Sequence, residues 1–235
     1  MKIRRKMILL LALMTHCLFS LNAQTVEHKA GANNGFRVDY TEVKDNPEFS
    51  LIKAAMDRQI QMVTEVGLSD RILTFFRHVP VRIVAGKQNF AGAYFGKTKE
   101  IQISGNLLLR LRKPTLLHEF LHAYHDQKLQ DGVKNRQVIA YYDRAKQLSA
   151  YDPNSHMMAK KSEFFASAGT AYLFGVTALE PYTRAKVQKN QPAFYKYLQG
   201  LFGPEAGNYK GSLNERIEVL IRAKDEEPTS EKNAE

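Results

Sequence analysis

The chain has 235 residues, a formal charge of +10 and a single cysteine, Cys17. Four of the basic residues and that cysteine fall in the first 23 positions; removing these leaves 30 basic against 24 acidic residues, a charge of +6, and no cysteine. That balance excludes disulfides, cysteine-ligated metals and cysteine nucleophiles, and the dispersed Arg71, Arg77, Arg82, Lys97, Arg110 and Arg112 form no aromatic-interleaved basic stripe for nucleic acid.

Residues 1–23 read as a signal peptide. Lys2, Arg4, Arg5 and Lys6 form a basic start, an apolar run extends from Met7 towards Leu21, and Leu21-Asn22-Ala23 offers a cleavage site before Gln24. Thr15 and His16 interrupt the run, which is too short for a confident membrane span. Met14-Thr15-His16 before Cys17 does not resemble a lipobox, so no stable membrane anchor is expected after cleavage and the product is secreted or periplasmic. About 212 residues then remain, enough for one domain with a good core.

Residues 24–45 are predicted to be a flexible N-terminal segment, residues 46–224 the folded domain, and residues 225–235 a charged, frayed tail. Pro47–Val66 predicts an amphipathic helix through Leu51, Ile52, Ala55, Met56, Ile60 and Val63, and Ser69–His78 a second helix. Val81–Val84 and Glu100–Ser104 alternate as strands do, separated by a glycine-rich bend at Gly92–Gly96. Helices follow around 114–130, 134–148, 162–174 and 182–202, with a break near Pro192. A last helix is marked by the capping box Ser212-Leu213-Asn214-Glu215. A short sheet followed by helices is an α+β order.

The helix around 114–130 carries the chemistry, in His118-Glu119-Phe120-Leu121-His122. Positions four apart stack on one helical face, so both imidazoles can reach one zinc ion, at roughly 2.0–2.1 Å each. Glu119 is then placed to act as general base on a metal-bound water. Pro114 suits the first turn, and Leu116, Leu117, Phe120, Leu121 and Ala123 supply the apolar face. His125 lies about 10 Å farther along the axis than His118 and cannot share the ion with both others, which makes it a cleft-rim or surface residue. Asp126, four beyond His122, either orients an imidazole through its second N–H or faces solvent.

Catalytic zinc takes three protein ligands and keeps one position open. The best third candidate is Glu163, the only acidic residue of the predicted helix that ends at Gly175; a carboxylate in a first turn also suits the helix dipole without any metal.

The pairing of His118–Asp126 with Glu163-Phe164-Phe165-Ala166 resembles the catalytic domain of anthrax-toxin lethal factor and its relatives, including the Pro-Pro endopeptidases. Lys186-Val187-Gln188-Lys189-Asn190-Gln191-Pro192 is similar to the lethal-factor sequence after the ligand helix, and the likeness covers roughly residues 80–202. The resemblance implies a zincin-like domain of gluzincin type, with His118, His122 and Glu163 as ligands of one zinc ion and Glu119 as base. Leu121 stands where relatives often carry glycine, and Ser167 replaces an acidic residue; these departures leave the ligand residues unaffected and change the support around them. The family also uses a tyrosine shortly before the ligand Glu to stabilise the oxyanion. Here Tyr151 is the closer chemical match and is favoured, while His156 is closer in spacing. Zincins border their cleft with an edge strand, a place the resemblance gives to Lys99–Ser104, with Tyr94 and Phe95 as pocket walls or core filling.

The sequence thus predicts an exported zinc metallopeptidase acting on peptide or protein substrates. The alternatives are a catalytically inactive zinc-bearing binding or toxin-like module, which would not need Glu119, and a zinc hydrolase of a non-peptide amide.

Overall fold

Helix α1 (Phe49–Thr64) shows how the apolar pattern is used. Ile52, Met56, Ile60 and Val63 recur at helical spacing and are buried, whereas Leu51, one position off that row, is 56% exposed. The polar Gln59 lies on the buried side as well. Its amide donates to the Lys113 carbonyl at 2.8 Å and its oxygen accepts from the Leu116 N–H at 3.1 Å. It thereby satisfies a free N–H at the start of a later helix, α4 (Thr115–Lys128), whose first carbonyl is that of Pro114.

The computed structural model describes residues 33–86, 88–108 and 113–204. The predicted signal peptide, Cys17, Arg110, Arg112, the capping box at 212–215 and the tail at 225–235 lie outside the described residues. Around α1 and α4 the other elements are α2 (Asp70–His78), α3 (Gly105–Leu108), α5 (Arg136–Gln147), α6 (His156–Ala159), α7 (Lys161–Phe174), α8 (Arg184–Asn190) and α9 (Pro192–Phe202). The break predicted near Pro192 divides α8 from α9, and Gly175, at φ +94°, ends α7. Among the described residues no helix is long and apolar enough to cross a membrane.

Four short strands form one sheet: β1 (Val38–Asp39), β2 (Val81–Val84), β3 (Gly92–Phe95) and β4 (Glu100–Ser104), in the order β1-β2-β4-β3. The first three of that order run parallel, and β3 lies antiparallel on β4. Ile101 and Ile103 point into the core. On the other face Glu100 accepts from both Arg82 and Gln102, each at 2.7 Å. The chain is therefore mixed α+β, with a small four-stranded sheet and a mostly helical remainder.

Three expectations are corrected. The strand Glu100–Ser104 is internal, between β2 and β3, and the edge strand beside it is Gly92–Phe95, which the sequence suggested as a bend. Its glycine serves a close approach rather than a turn. Second, the segment 24–45 is not uniformly flexible, because Phe36, Val38 and Val43 are buried and Phe36 packs on Phe120 of α4 with centroids 5.6 Å apart. Three apolar residues scattered among polar ones were too sparse a pattern to reveal this.

Third, His125 is neither rim nor surface. It is fully buried against Phe165, ring centroids 4.8 Å apart, and neither ring nitrogen has a hydrogen-bond partner. Burial, aided by His122, pushes the imidazole down to about 4, against the partial opposition of Asp126. The unfolded chain takes up this proton below about 6.5, while the folded chain refuses it until about 4. Stability is thus full above 6.5 and falls by roughly 3 kcal/mol as pH drops from 6.5 to 4. Urea midpoints measured across this range should show the loss in the wild-type chain, and His125→Leu should flatten it. An unchanged slope in the variant would assign the acid sensitivity to other groups.

Candidate metal centre

Helix α4 buries Leu116, Leu117, Phe120, Leu121 and Ala123 and presents His118 and His122 on its remaining face. Helix α7 packs directly on α4. The close approach is at Gly169, where an added Cβ would meet the Leu121 side chain at 3.1 Å. Leu121 and Gly169 thus form a large-on-small pair that lets the two helices approach closely. Glu163, in the first turn of α7, is carried against both histidines, and the positive end of the helix dipole favours a carboxylate there. Only Lys160 separates α6 from α7, so His156 at the start of α6 also faces Glu163.

Four donor groups converge. The Nε2 atoms of His118 and His122 are 3.1 Å apart, and each is 3.2 Å from Oε2 of Glu163. His156 brings its own Nε2 to 2.9 Å from the same oxygen. A carboxylate oxygen offers about two lone pairs, and here it faces three ring nitrogens. The triangle of His118, His122 and Glu163 also has the dimensions of a cation site. Tetrahedral bonds of about 2.0 Å separate neighbouring ligand atoms by roughly 3.3 Å, close to the three sides observed. The group His118, His156 and Glu163, with ligand atoms all within 4.8 Å, could hold a metal ion, and His122 adjoins it.

Burial alone would push the Glu163 carboxyl up, but the hydrogen bonds and charges of His118 and His122 outweigh it and hold the group well below the usual carboxylate range. It is present as the anion a cation requires. Glu119 behaves in the opposite way. Burial, reinforced by the charge of Glu163, raises it to about 7, while His118 and the Tyr94 main-chain N–H oppose the rise. Glu119 is 5% exposed and lies under β3, where a Cβ on Gly92 would meet its Cγ at 3.0 Å and Ile103 and Thr115 at 2.9 Å. Only glycine fits at position 92 without displacement.

Other candidates fall outside the cluster. Tyr151 is buried in the core near Phe164, its hydroxyl has no hydrogen-bond partner, and burial together with Glu180 pushes it far up. Asp152 shapes its own loop, accepting from the Asn154 N–H at 2.9 Å and, through its carbonyl, from the Ser155 hydroxyl. Asp126 neither orients an imidazole nor faces solvent alone. It accepts from the Tyr94 hydroxyl at 2.7 Å and from Lys99, tying the β3–β4 hairpin to α4. Tyr94 is therefore occupied, whereas Phe95 is 38% exposed and meets Phe90 edge-on. Sequence reasoning missed Gly92 and Gln59. The first looked like a turn residue, and the second was signalled only by a polar side chain on an apolar stripe. No family model matches the chain, and neither a curated protein nor a solved structure matches it.

Titration of the apo chain with zinc should give one tight equivalent. Glu163→Ala should lower the affinity more than about 100-fold, since it removes a charged ligand. Tyr151→Phe should leave it within twofold. Competition with a chromophoric chelator measures both, and equal affinity of Glu163→Ala and the parent would remove Glu163 from the ligand set.

Proposed function

We propose that this chain is an exported zinc metallopeptidase similar to the lethal-factor and Pro-Pro endopeptidase group, with a zincin-like domain. The observation that carries the reading is the triangle of His118, His122 and Glu163 with the buried Glu119 beside it under an edge strand. When bound, zinc polarises a scissile carbonyl and lowers the pKa of water towards about 7.

The remaining steps belong to the chain. Glu119, buried beside the triangle, would take a proton from the attacking water and give it to the leaving amine. The Tyr94 N–H fixes its carboxylate. His156 rather than Tyr151 is the donor to developing negative charge, because its ring is at the cluster and half-exposed, while the Tyr151 hydroxyl is enclosed. Substrate lies along β3. In the register Gly92↔Ile103 and Tyr94↔Ile101, the Ala91 carbonyl bonds the Ser104 N–H, so the alternation turns the main-chain groups of Gly92 and Tyr94 away from β4. With the Tyr94 N–H engaged by Glu119, the Tyr94 carbonyl and both Gly92 groups are left for an extended peptide.

A zinc-bearing binding module without turnover is the second reading, favoured by the nearness of His156 to the three ligands, since four protein ligands are usual in structural sites. Against it stands Glu119, a buried carboxyl that structural zinc does not use.

A peptide-library digest by the zinc-loaded chain tests the choice. Glu119→Gln should keep zinc and lose more than about 1,000-fold in turnover, as loss of a general base does. No cleavage by the parent chain, with zinc bound, would favour the binding module. On binding a hydroxamate-capped peptide, amide exchange at Gly92 should slow while Ile101 and Ile103, already inside the sheet, change little. Tight inhibition with no slowing at Gly92 would mean that β3 is not the platform.

A further inference from the structure

We infer that His156 is a fourth protein ligand in the resting protein, closing the position that substrate must take, and that it is displaced when substrate enters. The inference rests on the metal-site reading above and adds to it an occupant for the open position. Its basis is the arrangement of His156 itself. The Nε2 atom, 2.9 Å from Oε2 of Glu163, is as near to that oxygen as the two helix-borne imidazoles are, and its ring lies 6.1 Å from the His118 ring. Its ligand atom lies with those of His118 and Glu163 in a group all within 4.8 Å of one another; His122 is outside that group, so ligation beside His122 requires the exposed ring to turn further inward. Here the same ring nitrogen that would ligate is the one turned inward.

The setting of His156 suits a displaceable ligand. His118 and His122 are carried by the fourteen-residue helix α4, with side chains 19% and 12% exposed. His156 stands at the first position of the four-residue helix α6 and its side chain is 56% exposed. Met157 and Met158 behind it are buried, and the Met158 carbonyl is held by the Tyr142 hydroxyl at 2.9 Å. The backbone is therefore fixed while the ring is free to turn about its own side-chain bonds. As a ligand through Nε2 the ring carries its proton on Nδ1. Once released into solvent it exchanges tautomers with no net gain or loss of protons, and the Nε2–H then faces the substrate oxygen.

Zinc K-edge absorption on the zinc-loaded full chain, with chelator competition, tests this. The parent should show three imidazoles, and His156→Ala and His156→Asn two, with zinc affinity lowered tenfold or more. Adding a peptide hydroxamate to the parent should reduce the count from three to two. Two imidazoles in the parent, with affinities of parent and both variants within twofold, would overturn the inference and leave the three-ligand site standing. Three imidazoles retained with hydroxamate bound would overturn the displacement. If His118→Ala and His122→Ala also bind zinc like the parent, the metal-site reading itself fails, and the inference with it.

Discussion

The approach of α7 to α4 is the constraint on which the site depends. Glu163 sits in the first turn of α7, six residues before Gly169, and its position relative to the histidines follows from where the helices touch. Leu121 fills the space that the missing side chain of Gly169 leaves, so the closest contact is a large residue on a glycine. A glycine on α7 thus makes room for the leucine inside the His-Glu-x-x-His segment. Around the contact, Phe164, Phe165 and Ala168 are fully buried. The same packing that stabilises the core sets the distance from Glu163 Oε2 to both imidazoles, so the carboxylate is preorganised by apolar burial.

The sheet side is fixed by a different kind of contact. Asp126 lies on α4, one turn beyond His122, and takes hydrogen bonds from Tyr94 and Lys99 at the two ends of the β3–β4 turn. Lys99 itself adopts φ +57°, a left-handed conformation that a non-glycine residue visits only when held. With the hairpin fastened at that end and Gly92 pressed on Glu119 at the other, β3 has little freedom to slide along α4. An edge strand normally invites indiscriminate pairing. This one is four residues long and carries glycine and alanine first, so what it offers is main chain in a fixed place rather than an adhesive surface.

The elements legible in the sequence were those with a strong period or a marked end. The helices over α4 and α7 follow from apolar spacing and from Gly175, and His118, His122 and Glu163 are brought together as their types and order suggest. The strand order was not legible. Ile101 and Ile103 alternate identically whether β4 is an edge or an interior strand, because alternation reports the faces of a sheet and not its neighbours. Tyr151 and His156 show the limit of reasoning by chemical type. A phenol is the better match by function, but the residues beside it decide where it goes, and Tyr151 packs near Phe164 and is drawn inside. His125 is the converse case: helical geometry excluded it as a ligand, yet nothing in the local sequence showed that Phe165 covers it.

Three imidazole nitrogens around one carboxylate oxygen also bear on folding. The donors come from α4, α6 and α7, and without a cation the two lone-pair-bearing nitrogens of His118 and His122 face each other at 3.1 Å with at most one proton between them. With one proton between them that contact is an N–H···N hydrogen bond. A cation bound there would replace that hydrogen bond with bonds that cross between α4 and α7, elements distant in sequence. Its binding free energy is then added to the stability of the folded chain, because the unfolded chain has no preformed site. The two α4 rings are enclosed, with side chains 19% and 12% exposed, whereas the α6 ring is 56% exposed. On the proposed reading, the enclosed His118, His122 and Glu163 would hold the ion and the exposed His156 would govern access to it.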